Sequence, residues 1–385
     1  MKINIVRPIL PKLNNIKKDF DRCLNTGLVT NNGINVRKFE KNIKKFLRSK
    51  NDPVLFCNGQ MAFFSLLQAW KLKLKIRDNE KTYAIVPSFT WSGTVNSLIL
   101  NNIIPIFCDV DNKFLLDLKK VENQIYKLKK IQKKIKFIVP VSNYGNILNL
   151  KELKKFCKKN RLVALLDSAP AFGSKYKNKC PNNYGFDEMY SFHATKIMTS
   201  MEGGCVVSND LQITNYCRYI RDFGQYEKNI GNIKLPGLNS KMQEISAIVG
   251  NLNLKNFNKV LKKRMNVIRL YKKFFQNFEK KKIFSLMRVD PNVDCTYLYF
   301  PILVNQKIIK FKEYLKKSNI SFRKYYSAVH CLDFYKKEKK ASLKLNLEYT
   351  NKIKDKIIAL PVFSDMSIKE IKYIFRKISL FYKDL

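Results

Sequence analysis

Histidine is almost missing from this chain: among 385 residues there are two, His193 and His330. A metal centre built on imidazoles is thereby excluded, and no metal is expected. Tryptophan is equally scarce, with only Trp70 and Trp91. There is no uncharged apolar run long enough to cross a bilayer, and Met-Lys-Ile-Asn-Ile-Val-Arg-Pro at the start lacks the apolar stretch of a signal peptide. A cytoplasmic protein with no membrane partner is expected. Nine cysteines, an odd number, fall at scattered positions such as Cys23, Cys108 and Cys217, with no Cys-x-x-Cys pair. They read as buried, reduced thiols of a cytosolic protein. No internal repeat or low-complexity linker is present.

Acidic residues are also short in number, 30 against 74 Lys and Arg, which leaves a formal charge of +44. Such a balance usually raises nucleic acid as a partner. Here the excess is mostly lysine, spread over every segment and accompanied by much Asn and Ile, as in a genome rich in A and T. A nucleic-acid surface is more often clustered, rich in arginine and interleaved with stacking aromatics. No specific nucleic-acid partner is expected. With 45% hydrophobic residues the chain can bury a large core, divided between a major and a minor domain.

Short apolar strands alternate with amphipathic helices over the first two thirds of the chain, the pattern of a mostly parallel sheet flanked by helices. Val36, Phe39, Ile43 and Phe46 fall at helical spacing. Pro53 to Cys57 reads as a strand that passes through Asn58-Gly59-Gln60 into a helix from Met61 to Trp70. Such a junction is either an ordinary capped helix or a phosphate cradle of free N–H groups. Tyr83 to Val86 is a strand leaving into Pro87-Ser-Phe-Thr-Trp-Ser-Gly-Thr94, where Trp91 is either a loop residue or a buried structural one. Ile103 to Asp109 reads as a strand, Leu116 to Ile131 as helical, Phe137 to Pro140 as a strand and Leu150 to Cys157 as a helix.

Two positions stand out chemically. The run Arg161-Leu-Val-Ala-Leu-Leu-Asp167 puts a carboxylate at the end of a buried strand, where ligands of open α/β sheets bind, although a strand-ending Asp also caps helices. Lys196 lies between the strands Met189 to Phe192 and Cys205 to Ser208, with Glu202-Gly-Gly204 making the return. Its neighbours Ala194, Thr195, Ile197 and Met198 leave it no carboxylate close in sequence. Desolvation lowers a lysine's pKa, and a neutral amine can form an imine with an aldehyde. In a chain so rich in lysine, a solvated surface residue is the other reading.

Ser191-Phe-x-x-x-Lys196 followed by a Gly-Gly turn, Asp167-x-Ala-x-Ala-x-Gly173, and Gly237-x-Asn-x-Lys-Met-x-Glu244 together resemble the DegT/DnrJ/StrS family of sugar-nucleotide aminotransferases. The resemblance runs from about residue 5 to 378. It implies a pyridoxal 5'-phosphate (PLP) enzyme of fold type I: an α/β large domain with a mostly parallel sheet and an N-terminal arm over 1–254, and a smaller α+β C-terminal domain over 255–385. It implies that Lys196 carries the cofactor and acts as general base and acid, that Asp167 pairs with the pyridine nitrogen, and that Trp91 stacks on the ring. Gly59, Gln60, Met61 and Ser191 would hold the phosphate, and Asn239 would reach the cofactor of the other subunit in a homodimer with shared sites. Gln60 stands where the family usually has Thr, and Pro170 where it often has Gln. Arg323-x-Tyr325 with His330, together with His193, would lie near the substrate. The branch most resembled aminates C4 of dTDP-4-keto-6-deoxyglucose, with glutamate as donor, for amino-sugar and surface-polysaccharide synthesis. The alternatives are a 3-keto or UDP-linked sugar substrate and, of another class, a non-catalytic regulator that keeps the fold. A dehydratase branch of the family carries His at the position of Lys196, so this lysine argues against that chemistry.

Overall fold

The computed structural model describes residues 1–225, 232–338 and 342–383. Its main sheet has eight strands in the order Val54–Phe56, Gly204–Val207, Asp187–Ser191, Val163–Asp167, Ile135–Ile138, Thr82–Pro87, Ile103–Cys108 and Leu343–Lys344. Pairing is parallel from Asp187–Ser191 outward to Leu343–Lys344, while Gly204–Val207 runs antiparallel to both of its neighbours. Residues such as Ala84, Phe137, Leu165 and Val206 are fully or almost fully buried because helices cover the sheet.

One consequence of this order positions the site. The strands ending at Phe56, Pro87, Ile138, Asp167 and Ser191 all point the same way, so their C-terminal ends share one edge of the sheet. That edge is where ligands of open α/β sheets bind, because the connections there are free to diverge. Gly204–Val207 runs the other way, which brings the turn before it, Glu202-Gly203, to the same edge.

The helices follow the sequence pattern. Ile34–Leu47 buries Val36, Phe39 and Ile43 as one stripe. Gly59–Lys73 is apolar nearly all round and is accordingly sandwiched, with Ala62, Phe63, Leu66 and Leu67 inside. The region expected as one helix from Leu116 to Ile131 is an α-helix over Leu118–Ile125 that tightens into a 3-10 segment, Tyr126–Lys134, broken at Leu128.

A single 37-residue helix, Glu244–Lys280, joins the two halves of the chain. Near its start Phe257 packs edge-on to Phe46 and Phe172, beneath the main sheet. Farther along, Tyr271 and Phe275 pack on Phe300 and Phe284 of a second, antiparallel sheet formed by Phe284–Leu286, Phe300–Val304 and Ile357–Leu360. Each such fully buried aromatic contributes about 1.5–3 kcal/mol. The division expected at 254/255 falls inside this continuous helix. Ile308–Lys317 and Ile368–Phe381 complete the second unit, the latter opened by a capping box between Ser367 and Glu370.

All nine cysteines are free; seven are buried, whereas Cys57 and Cys331 are only partly so. No helix of the described residues is long and apolar enough to cross a membrane, and among them no group of three or more His, Cys, Asp or Glu side chains could hold a metal ion.

Candidate active site

A cavity of about 420 Å³ between Ile34–Leu47 and Leu211–Arg221 is lined mostly by charged and polar residues. A second, of about 520 Å³, opens at the strand ends and is lined by Cys57 to Gln60, Trp91, Thr94, Val141, Asp167, Ser191, His193, Lys196, Glu202, Leu298, Tyr299, Tyr325 and Tyr326, among others. The second brings together most of the residues singled out from the sequence. We take it as the candidate site.

Asp167 ends its strand at the cavity wall and is 4% exposed. Its Oδ2 accepts a hydrogen bond from Thr94 Oγ1 at 2.5 Å, and its Oδ1 accepts from the Ala169 N–H at 3.1 Å. No cationic side chain lies within ion-pair distance of it among the described residues. Burial pushes its pKa up, while the Thr94 and Ala169 hydrogen bonds and the Lys196 charge pull the other way. A carboxylate in that position is short of one cationic N–H donor, because a buried charge is retained only when paired.

Lys196 follows a turn closed by its N–H to the His193 carbonyl at 2.9 Å. Loss of hydration pushes its ammonium pKa down, opposed by the charges of Asp167 and Glu202. The amine is thus biased toward the neutral, nucleophilic form without a hydrogen-bonding base beside it.

The helix Gly59–Lys73 begins at the cavity. Asn58 caps it by accepting the Met61 N–H at 2.9 Å, which leaves the Gly59 and Gln60 N–H groups, with the positive helix end, to meet an anion. Close packing explains two glycines here. A Cβ on Gly59 would lie 2.8 Å from Ser191 Cβ, and one on Gly204 would lie 2.2 Å from the Asn58 carbonyl oxygen. Strand Gly204–Val207 can therefore approach the cap only through glycine, and the space at the helix start stays open.

The remaining expected residues divide. Trp91 is 59% exposed, precedes the helix Ser92–Ile99 and meets Tyr325 edge-on at 6.3 Å. His193 lines the cavity, with its Nδ1 3.2 Å from the Thr195 backbone N and 2.9 Å from Thr195 Oγ1, and its Nε2 3.4 Å from Glu202. Met61 is not part of the lining, its N–H being taken by Asn58. Asn239 is exposed, pairs its backbone with Asp222 and does not line its own chain's cavity. Arg323 is exposed and bridges Ala359 through its backbone. His330 is buried behind the wall, with Nδ1 2.5 Å from Ser88 Oγ and Nε2 3.1 Å from Asn351 Oδ1.

Among the lining residues without a role in the sequence reading are Thr94, Val141, Leu298 and Tyr299. Thr94 lies three positions beyond Trp91, one helical turn in from the same loop, and that spacing was the available signal. Leu298 and Tyr299 lie in an apolar stretch continuous in sequence with the strand that begins at Phe300, so nothing local marks them off as cavity wall.

The donor set suits a PLP molecule: an unpaired buried carboxylate for a protonated ring nitrogen, a desolvated lysine for an aldehyde, and N–H groups with Ser191 for a phosphate. The sequence profile described as the DegT/DnrJ/EryC1/StrS aminotransferase family matches residues 12–379. The chain is 28% identical over 379 residues to a dTDP-4-amino-4,6-dideoxy-D-glucose transaminase of Shigella dysenteriae, covering 97% of each. It is 27% identical over 389 residues to a GDP-perosamine synthase of Escherichia coli O157:H7, covering 97% of this chain and 98% of the other. In three dimensions it superposes on the whole of Helicobacter pylori PseC, an aminotransferase involved in the biosynthesis of pseudoaminic acid, with a TM-score of 0.88 at 23% identity.

Proposed function

The chain belongs to the DegT/DnrJ/EryC1/StrS aminotransferase family, and from that premise we propose that it transfers an amino group from glutamate to C4 of dTDP-4-keto-6-deoxyglucose. As a member it is a PLP-dependent aminotransferase acting on a sugar nucleotide. The named sugar and donor are our reading. The observation that carries the chemistry is that a desolvated lysine and a buried carboxylate, with no ion-pair partner among the described residues, face one cavity.

When bound, PLP supplies an electron sink for negative charge at the reacting carbon. The chain's own residues do the rest. Asp167, held by Thr94 and the Ala169 N–H, keeps a proton on the ring nitrogen. Gly59, Gln60 and Ser191 would hold the phosphate end, and Trp91 would offer its indole to the ring. Lys196 would hold the cofactor through its amine and, when that amine is free, would serve as the base that removes a proton from the donor carbon and the acid that returns one to the acceptor carbon. Loss of hydration lowers its pKa and so makes the neutral amine more available for that role.

Tyr325, His193 and the Leu298–Tyr299 edge form the wall that meets the sugar. The first relative's name specifies a dTDP sugar, the second's a GDP sugar; the first favours our reading. We further propose a cytoplasmic homodimer: Asn239, exposed and outside its own cavity, is free to reach the phosphate of the partner's site. Mixing Lys196→Ala chains with chains altered at Asn239 then restores part of the activity, and no rescue in verified heterodimers would count against a shared site.

The substrate is tested by incubating protein, PLP and glutamate with dTDP-linked 4-keto and 3-keto 6-deoxyhexoses and with UDP- and GDP-linked 4-keto sugars, then identifying products by mass and NMR. Amination at C4 of the dTDP sugar is expected. Preference for another nucleotide, or amination at C3, overturns the sugar assignment and leaves the aminotransferase; no turnover with any sugar alongside intact cofactor binding favours the non-catalytic alternative.

A further inference from the structure

Arg264 lies on the long helix, 5% exposed, and among the described residues no carboxylate pairs with it. Burial without a counter-ion lowers its pKa to about 10, so it remains charged at neutral pH. A fold keeps an unpaired buried guanidinium only where its donors serve a purpose that an apolar side chain would not.

Those donors point at one short segment. Arg264 Nε donates to the Tyr297 carbonyl at 2.6 Å and Nη2 donates to the next carbonyl, Leu298. Two successive carbonyls are gripped by one edge of a planar fork, a geometry an ammonium lacks. Tyr297 needs the grip: its φ is +52°, in the left-handed region that residues with a Cβ disfavour. From the other side the segment is pinned by the Leu298 N–H to the Tyr144 carbonyl at 2.8 Å and by close approach to Gly145, where a Cβ would stand 2.7 Å from Thr296 Oγ1.

The pinned turn keeps the buried Tyr297 ring out of the cavity, beneath Lys272, and presents Leu298 and Tyr299 to the cavity. Tyr299 then stacks on Tyr325 at 5.0 Å and 29°, and Tyr325 meets Trp91. Arg264 also adjoins Lys196, Thr195 and Leu298 around a small neighbouring cavity, so its grip is applied directly behind the lysine loop.

We propose that Arg264 is a positioning residue for sugar recognition: through the Tyr297 and Leu298 carbonyls it sets the Tyr299–Tyr325–Trp91 wall that receives the acceptor ring. The inference rests on the aminotransferase reading but adds a residue and a division of labour. Loss of the grip impairs the acceptor half of the reaction and spares the donor half, whose requirements are Lys196, Asp167 and the cofactor.

The test separates the halves on PLP-loaded enzyme. The cofactor absorbance change with glutamate alone reads the first; its reversal on adding the keto sugar nucleotide reads the second. In Arg264→Lys the donor rate constant is expected within about threefold of wild type, while kcat/KM for the sugar falls about tenfold to a hundredfold. Tyr299→Ala is expected to give a similar loss, and the double variant to lose little more, because the two substitutions break one device.

Equal loss of both halves with normal melting, or loss of the donor half alone, overturns the proposal; the second outcome would make Arg264 a carboxylate-binding residue. Additive losses in the double variant also overturn it. If Arg264→Lys does not fold, Tyr299→Ala and Tyr299→Phe carry the same division between halves. A wild-type enzyme with no glutamate-dependent absorbance change would instead defeat the transamination reading itself.

Discussion

Asp167 and His330 are both polar, both buried and both hydrogen-bonded, yet they belong to different parts of the account. His330 has a partner at each ring nitrogen, Ser88 and Asn351, and lies behind the cavity wall. Asp167 accepts two hydrogen bonds, has no cation within ion-pair distance among the described residues and opens on the cavity. Buried polar groups of a finished core are satisfied by the core. A buried group left one partner short, at the end of a parallel strand, is arranged for something that arrives from outside.

The largest effect should come from the same edge of the sheet. Lys196→Ala is expected to lower turnover by about 10³-fold or more, since it removes both the covalent attachment and the proton carrier, as read by product formation from glutamate and keto sugar. A residual rate above a tenth of wild type would remove Lys196 from the chemistry at that edge.

Asp167→Asn retains the carboxylate's shape and loses its charge, so PLP should stay bound while turnover falls on the order of 100-fold. Cofactor absorbance and rate, measured on one preparation, separate binding from chemistry.

Thr94→Val sharpens the contrast, because it makes Asp167 less satisfied without touching the carboxylate. The Thr94 hydroxyl lowers the Asp167 pKa. Its loss raises that pKa, reduces the ionised fraction at a given pH and moves the acid limb of the kcat profile to higher pH, with a loss of about tenfold near neutrality. An unmoved acid limb would detach Thr94 from the mechanism.

His330→Ala should show the opposite signature: a lower melting temperature, by a few degrees, with KM for the sugar unchanged. Burial lowers the His330 pKa below its ordinary 6.5. The unfolded chain then binds the extra proton first as pH falls, so this residue's contribution to stability is full above about pH 6.5 and is lost as pH drops through the lower folded value. Melting followed from pH 8 to 5 in wild type and variant should differ in slope below pH 6.5; parallel curves would remove His330 from the structural side.

The same comparison explains what the sequence could convey. The strand Val163–Asp167, the lysine turn and the cap at Asn58 were legible because each is specified locally: an apolar run ending in a carboxylate, a Gly-Gly return, an Asn at a helix start. Their meeting at one sheet edge follows from parallel topology, which alternating strands and helices already indicate.

The wall from Thr296 to Tyr299 was not legible, because what holds it off the strand is tertiary. Gly145, Tyr144 and Arg264 reach it from far along the chain, and apolar residues before Phe300 look like more strand. The segment from Arg323 to His330 misled for a related reason. Backbone pairing of Arg323 with Ala359 and of Ala328 with Phe89 fixes its course, turning Tyr325 inward and leaving Arg323 in solvent. The division expected at 254/255 falls inside the helix Glu244–Lys280 because its buried face changes partner near Phe257, while nothing in the sequence breaks the helix.

The central claim is that one lysine among many in a strongly basic chain is set apart by its surroundings. Borohydride reduction of the PLP-loaded protein, followed by digestion and mass mapping, tests it most directly: the account predicts the reduced cofactor on the peptide containing Lys196 and on no other stoichiometrically, whereas stoichiometric label on a different lysine, with Lys196 unmodified, would contradict it.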